Sequence, residues 1–167
     1  PAESAAMISS PTLFVLTSTI TCHECKRETM VAGLGAPAGA HDSSDDAMAD
    51  VYDEAVGLLN IVDLNHDAID ALRSTGCKIF VDQSYTAGMS YWMNHCTHCD
   101  AKIGDHYIHS SPGVAFFPTM DEDMARVTIR ERRTPLQAVA NPAIGIMQRI
   151  VDARLPRGLS ETSNKSS

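Results

Sequence analysis

A chain of 167 residues with 44% hydrophobic side chains is sized for one domain whose core needs no disulfide support. No apolar run reaches the ~18 residues of a membrane span, and Pro11–Leu16 (PTLFVL) is too short for a signal-peptide core and follows no basic segment. The expected address is therefore cytoplasmic, where five cysteines need an explanation other than disulfides. Residues 1–125 carry 5 Lys/Arg against 18 Asp/Glu, whereas residues 126–167 carry 8 against 3, and so acidic a body argues against nonspecific nucleic-acid binding.

Residues 1–10 are small and polar and read as a flexible N-terminus. Residues 12–21 (TLFVLTSTIT) are rich in β-branched side chains and predict a strand. Cys22–Cys25 follows as a turn, and Thr29–Leu34 returns as the second strand of a hairpin. Residues 35–50 combine Gly, Pro, Ser and Asp and read as an exposed loop. Its acidic run, Asp42, Asp45, Asp46 and Asp50, lacks the Gly and terminal Glu of a calcium loop. Val56–Leu64 predicts a strand. Asn65 is a plausible N-cap for a helix over 66–74, with Ile69 and Leu72 on one face.

Cys77–Val81 and Ser90–Met93 predict further strands, and Ile103–Ile108 a hairpin partner. Gly113–Phe117 is short and apolar and ends at Pro118. Arg126–Arg130 alternates polar and apolar residues, as a half-exposed strand does. Thr134-Pro135 and Asn141-Pro142 are helix-start signals. The second opens a helix over 142–155, whose stripe Ile144, Met147, Val151 and Leu155 packs on the body. Residues 157–167 read as a disordered tail. The expected fold class is α+β: zinc-ribbon-like β hairpins over residues 11–118, carrying an inserted strand–helix–strand segment, then a strand/helix extension over 119–156.

The chemistry concentrates in Cys22-His23-Glu24-Cys25 and Cys96-Thr97-His98-Cys99. Two intervening residues let both thiolates of a tight turn bind one ion, and two such turns complete a tetrahedral Zn²⁺ site. A thioredoxin-type redox motif needs only one pair, ahead of a helix, and neither pair precedes a helical pattern. The 70 residues between Cys25 and Cys96 exceed a compact ribbon's spacing, but loop closure costs grow only with the logarithm of length. Four thiolates leave no position for water or substrate, so such a zinc holds the fold rather than catalyses. Lys26, Arg27 and Lys102 are available to offset its charge, alongside N–H groups of the turns.

Other residues compete with this reading. His23, His95 and His98 flank the pairs and are alternative ligands. Cys77 opens an apolar strand and reads as a buried, inert thiol. Asp105 and His109 share a face if Ile103–Ile108 is a strand, with His106 opposite. A second, catalytic metal site there lacks a third ligand. No phosphate loop, G-x-S-x-G or H-E-x-x-H motif is present, and no catalytic residue is assigned. The expected role is a structural zinc protein acting as a protein–protein interaction or scaffold module. The alternatives are a metal-dependent enzyme with a site near Asp105 and His109, or nucleic-acid binding through Arg126, Arg130, Arg132 and Arg133. A pocket beside Asp105 favours the enzyme, a flat apolar patch a protein partner, and a contiguous arginine face nucleic acid.

"LTSTITCHECKRETMVAGLGAPAG" and "DQSYTAGMSYWMNHCTHCDAKIGDHYIHSSPGVAFFP" together resemble a group of uncharacterised bacterial proteins similar to a zinc ribbon with a long insert between the knuckles. The likeness spans roughly residues 12–118 and rests on Asn94-His95-Cys96, Cys99, Gly104-Asp105 and Phe116-Phe117. It implies metal binding and no particular reaction. Asp100 stands where knuckles of this type have Gly, a position that often needs positive φ, which Asp tolerates better than most residues.

Overall fold

The computed structural model describes residues 5–43 and 50–155. Asp45, Asp46 and the tail 157–167 lie outside the described residues. The fold is predominantly β, not the zinc-ribbon-like α+β arrangement expected. Its strands are β1 (Ala6–Ser10), β2 (Leu13–Thr21), β3 (Glu28–Ala36), β4 (His41–Asp42), β5 (Asp50–Val51), β6 (Val56–Leu64), β7 (Ile79–Ser84), β8 (Met89–His95), β9 (Lys102–Ile103), β10 (Thr128–Arg132) and β11 (Leu136–Ile144). Its helices are α1 (His66–Arg73), α2 (Asp105–His109), α3 (Asp121–Ala125) and α4 (Ile146–Arg154). Among the described residues, eight strands form one antiparallel sheet in the order β10-β2-β3-β6-β11-β1-β4-β5, and β7-β8-β9 form a second.

The large sheet is covered on both faces, which explains the unbroken apolar runs in β2 and β3 where a one-sided sheet would alternate. Leu13, Val15, Ala32 and Leu34 enter one core with Ile8, Leu58, Leu136 and the Ala68, Ala71 and Leu72 face of α1. Phe14, Leu16 and Val31 enter the other, with Phe116 and with Met147 and Ile150 of α4. Gly35 is required where α4 crosses: a Cβ there would lie 2.7 Å from Met147 Cε and 2.9 Å from the Val56 carbonyl oxygen.

Several expectations are corrected. The segment between the cysteine pairs does not carry a strand–helix–strand insert: it supplies β3 to β8 and α1, and β3 and β6 lie inside the large sheet. Residues 1–10, read as loose, contain β1, which pairs with β11 from Ala6↔Ala140 to Ser10↔Leu136. Asn141-Pro142 does not open a helix; Pro142 pairs with Leu58 within β11. Among the described residues β1 pairs with β11 only as far as Ala140, so no described strand lies opposite β6 at Pro142, a setting in which a strand tolerates proline. The helix begins after Gly145 (φ 98°), and Ile144 is 64% exposed instead of joining its stripe. Residues 119–156 contribute α3, β10, β11 and α4, and β11 lies between β6 and β1. Asn65 flanks α1 as expected, but its side chain accepts from Gln137 N–H and donates to the Pro135 carbonyl, tying the helix start to β11.

Candidate metal centre

Each cysteine pair occupies the turn of an antiparallel hairpin, β2–β3 for the first and β8–β9 for the second. The two turns have the same construction. Cys22 N–H donates to the Arg27 carbonyl (2.8 Å) and Lys26 N–H to the Cys22 carbonyl (3.0 Å); Cys96 N–H donates to the Ala101 carbonyl (2.9 Å) and Asp100 N–H to the Cys96 carbonyl (3.0 Å). Lys26 (φ 64°) and Asp100 (φ 65°) take the left-handed conformation at matching positions. Asp100 thus does what the sequence suggested, and Lys26 does so without the short Asn- or Asp-type side chain that eases it. In each turn an N–H points at sulfur: Glu24 to Cys22 Sγ and His98 to Cys96 Sγ, both 3.4 Å.

The hairpins meet so that the four sulfurs of Cys22, Cys25, Cys96 and Cys99 all lie within 4.8 Å of one another. Cys22 Sγ is 3.7 Å from Cys99 Sγ, and Cys25 Sγ is 3.6 Å from Cys96 Sγ. These separations far exceed a disulfide bond, ~2.05 Å. They match a tetrahedron of sulfurs around one ion, since metal–sulfur bonds of ~2.3 Å set the sulfurs ~3.8 Å apart. An iron–sulfur cluster spreads its cysteines over several metal atoms and holds them farther apart.

The electrostatics also ask for a cation. Burial opposes ionisation of Cys96, but the N–H groups of His98 and Cys99 and the thiols of Cys25 and Cys22 outweigh it and lower its pKa to about 6. At Cys99 the Ala101 N–H favours the thiolate, yet burial and the sulfurs of Cys22, Cys25 and Cys96 raise its pKa to about 12. Four sulfurs this close become thiolates together only around a positive ion.

The competing ligands are engaged elsewhere. His95 Nε2 is 2.8 Å from Asp82 Oδ2, and its ring stacks on Phe80 at 3.8 Å. His98 Nε2 donates to the Glu28 carbonyl (2.9 Å), and His23 stacks on Tyr107 at 4.6 Å. Cys77 lies buried in the α1 core, apart from the cluster, and burial raises its pKa. Lys26 Nζ donates to the His23 carbonyl and Lys102 Nζ to that of Gln83, so neither contacts the sulfurs directly.

The hairpins are also fastened beside the cluster. Asn94, 1% exposed, accepts from the N–H of Ala32 and donates to its carbonyl, both at 2.9 Å. β6 pairs with β3 only over Leu34–Ala36, so the backbone of Ala32 would otherwise face the interior unpaired. Thr97 N–H donates to Thr29 Oγ1 at 3.1 Å.

The second candidate site does not assemble. Residues 105–109 form α2, not a strand, and Asp105 and His109 serve different cavities. Asp105 lines one of about 760 Å³, while His109 lines one of about 40 Å³ against Phe116 and Met147. Among the described residues the four cysteines are the one group of metal-ligating side chains close enough to hold an ion. Asp105 is buried, and its Oδ2 accepts from the Asn60 N–H at 2.6 Å. Burial raises its pKa to about 7 against that hydrogen bond. Sequence reasoning missed Asn60, whose left-handed φ of 49° sits in a β6 bulge; an Asn inside an apolar strand was the available signal.

Of the four arginines, Arg126 pairs with Asp123 at 3.0 Å and Arg132 donates to Ser74 Oγ, and Arg130 and Arg132 stand two apart on β10, on the same face of that strand. Among the described residues no helix is long and apolar enough to cross a membrane. No protein-family model, curated protein or solved structure matches the chain, so the four-cysteine cluster stands on its own geometry, and the bacterial and ribbon-class parts of the resemblance find no match.

Proposed function

We propose that Cys22, Cys25, Cys96 and Cys99 hold one structural Zn²⁺, and that the protein is a metal-stabilised binding module of the cytoplasm, where thiolates stay reduced. The carrying observation is the meeting of two identically built turns with sulfurs 3.6–3.7 Å apart. Zinc suits an all-sulfur tetrahedral site, and four protein ligands leave it no open position, so its role is to join hairpins from two sheets. Binding free energy of such a site becomes folding free energy. The enzyme reading gains a pocket at Asp105 but loses its metal, because Asp105 and His109 do not converge. Nucleic-acid binding is disfavoured by the acidic body, and two of the four candidate arginines, Arg126 and Arg132, are engaged with Asp123 and Ser74.

Metal analysis of protein purified without chelator tests the reading. One equivalent of zinc per chain is expected, and Co²⁺ replacement should give the visible spectrum of tetrahedral thiolate cobalt. Less than half an equivalent, with no uptake on reconstitution, overturns it.

A further inference from the structure

The cavity at Asp105 measures about 760 Å³, within the range of small-ligand sites. It opens between both cysteine turns, the β7–β8 turn, α2 and the β6 bulge, with His23, Asn60, Tyr85, Tyr91, Cys99 and Asp105 among its lining. Its floor is a carboxyl group that is only 6% exposed. The carboxyl takes one hydrogen bond, from Asn60 N–H to Oδ2, which leaves Oδ1 and a further lone pair for a guest. The chain distorts to place it: Asn60 is left-handed within a strand, and its side-chain oxygen accepts from Asn141 Nδ2 at 3.1 Å. Strained backbone of this kind concentrates at binding sites. Tyr91 Oη accepts the Asp105 N–H at 3.0 Å and fixes the first residue of α2.

The charges around the cavity are predominantly negative. Asp105, Glu24 and Asp100 line it, against Lys102 alone among Lys and Arg. Lys102 is engaged with Asp82 at 3.5 Å and with the Gln83 carbonyl, and Asp100 with Lys78. Cys99 brings the edge of a four-thiolate site that keeps a net charge of −2 around a divalent ion. His23 and His106 complete the titratable lining. The rim is aromatic: Tyr107, 48% exposed, is stacked by His23 on one face, and Tyr85, 82% exposed, carries Lys102 Nζ at 4.9 Å from its ring centroid, so this rim already holds one cation against an aromatic ring. A buried carboxylate below exposed aromatic rings is a setting for a planar organic cation, which takes hydrogen bonds along its edge and stacking on its faces.

We propose that this cavity binds a guanidinium group, with Asp105 as its anion and the face of Tyr107 that His23 does not cover as its aromatic neighbour. The site rests on the metal-held frame proposed above, because both cysteine turns form its walls. The guanidinium can arrive on an arginine side chain of a peptide or on a small molecule. The electronegative surroundings favour the first, since they repel the carboxylate of a free amino acid. The empty-site pKa of about 7 adds a pH signature: a cation binds the ionised carboxylate, so affinity should climb as pH rises through that value.

The test is calorimetric or NMR titration of the full chain, after its metal content is measured, with N-acetyl-arginine-amide, N-acetyl-lysine-amide, N-acetyl-citrulline-amide and free L-arginine. Saturable binding of the arginine amide is expected, at least tenfold tighter than the citrulline or lysine amide and about tenfold tighter at pH 8 than at pH 6. Asp105→Asn, which keeps an acceptor for Asn60 N–H, should weaken it tenfold or more. Tighter binding of the capped form than of free arginine assigns a peptide source, and the reverse order a small molecule; either supports a guanidinium site. Equal binding of citrulline or lysine amide, unchanged affinity between pH 6 and 8, or no saturable binding by metal-replete protein overturns the proposal. Failure accompanied by substoichiometric metal is instead a failure of the metal reading; the titration is then repeated on reconstituted protein and judged by the same criteria.

Discussion

Asn94→Ala isolates the junction between the two sheets from the cysteine cluster. The side chain now satisfies both the N–H and the carbonyl of Ala32 at 2.9 Å, in a position 1% exposed. Truncation removes two hydrogen bonds, each worth ~1 kcal/mol net, and leaves two buried backbone groups unpaired at ~1–3 kcal/mol each. Water entering the space left by the amide recovers part of this, so the expected loss is ~2–4 kcal/mol. For a chain of this size that corresponds to a fall in Tm of roughly 4–16 °C. The turn bonds of Cys96 lie within residues 96–101 and do not involve Asn94, so the variant should keep one equivalent of metal. Asn94→Asp should be at least as damaging, because it retains the acceptor for the Ala32 N–H but sets a carboxylate against the Ala32 carbonyl. The assay is urea unfolding of metal-replete protein with metal content measured in parallel. A loss below ~1 kcal/mol would refute the argument, since it would mean that β3 satisfies Ala32 by other means.

Cys22→Ser or Cys99→Ser should lower hydrogen-exchange protection in both hairpins, β2–β3 and β8–β9; loss confined to the mutated turn with unchanged melting would deny the metal its joining role. Cys77→Ala should retain the metal and cost ~1–2 kcal/mol of packing in the α1 core, so metal loss in that variant would show the site to be misassigned. Burial raises the pKa of Asp105 to about 7, above its unfolded value, so the folded state binds the extra proton and the Asp105 contribution to stability declines as pH rises from ~4 to about 7. Relative to wild type, Asp105→Asn should therefore gain stability across that window, by up to ~4 kcal/mol, and level off above it; a difference independent of pH sinks this reasoning. His109 acts in the opposite sense, because burial lowers its pKa to about 4: its contribution is lost as pH falls from ~6.5, and His109→Gln should reduce that acid sensitivity.

What was legible in the sequence is what is decided locally. A C-x-x-C turn is built by residues within six positions of one another, so both turns and the left-handed Asp100 could be read without knowing the fold. β6 and most of β2 and β3 declared themselves through continuous apolar and β-branched residues. The misreadings came from signals that tertiary pairing overrides. Asn141-Pro142 is a sound helix start in isolation, yet a strand is chosen because β6 supplies a partner at Pro142, two residues beyond the last described pair with β1 at Ala140. β1 (AMISS) turns Met7 outward and Ser10 inward, so its alternating burial is not written in its hydrophobicity, and it is ordered by β11. The Asn94 link between sheets leaves no sequence signature, because its partner is the backbone of a residue 62 positions away.

The arrangement separates what holds the frame from what remains free to bind. Around the cluster, sulfurs, turn N–H groups, Asn94 and Thr29 are mutually satisfied, and histidines that could have opened the coordination are held by Asp82, Glu28 and Tyr107. A site so closed gains nothing from flexibility and contributes stiffness. Beside it, Asp105 is buried with spare acceptor capacity, over a left-handed Asn60 whose N–H serves Asp105 and whose side chain accepts from Asn141 of β11. Strain and an underused carboxyl group persist only where the surrounding structure over-determines them, and here the surroundings include the two cysteine turns. The four-cysteine cluster, together with the Asn94–Ala32 and Thr97–Thr29 bonds beside it, fixes where His23 and Cys99 stand along the cavity, with His23 stacked on Tyr107.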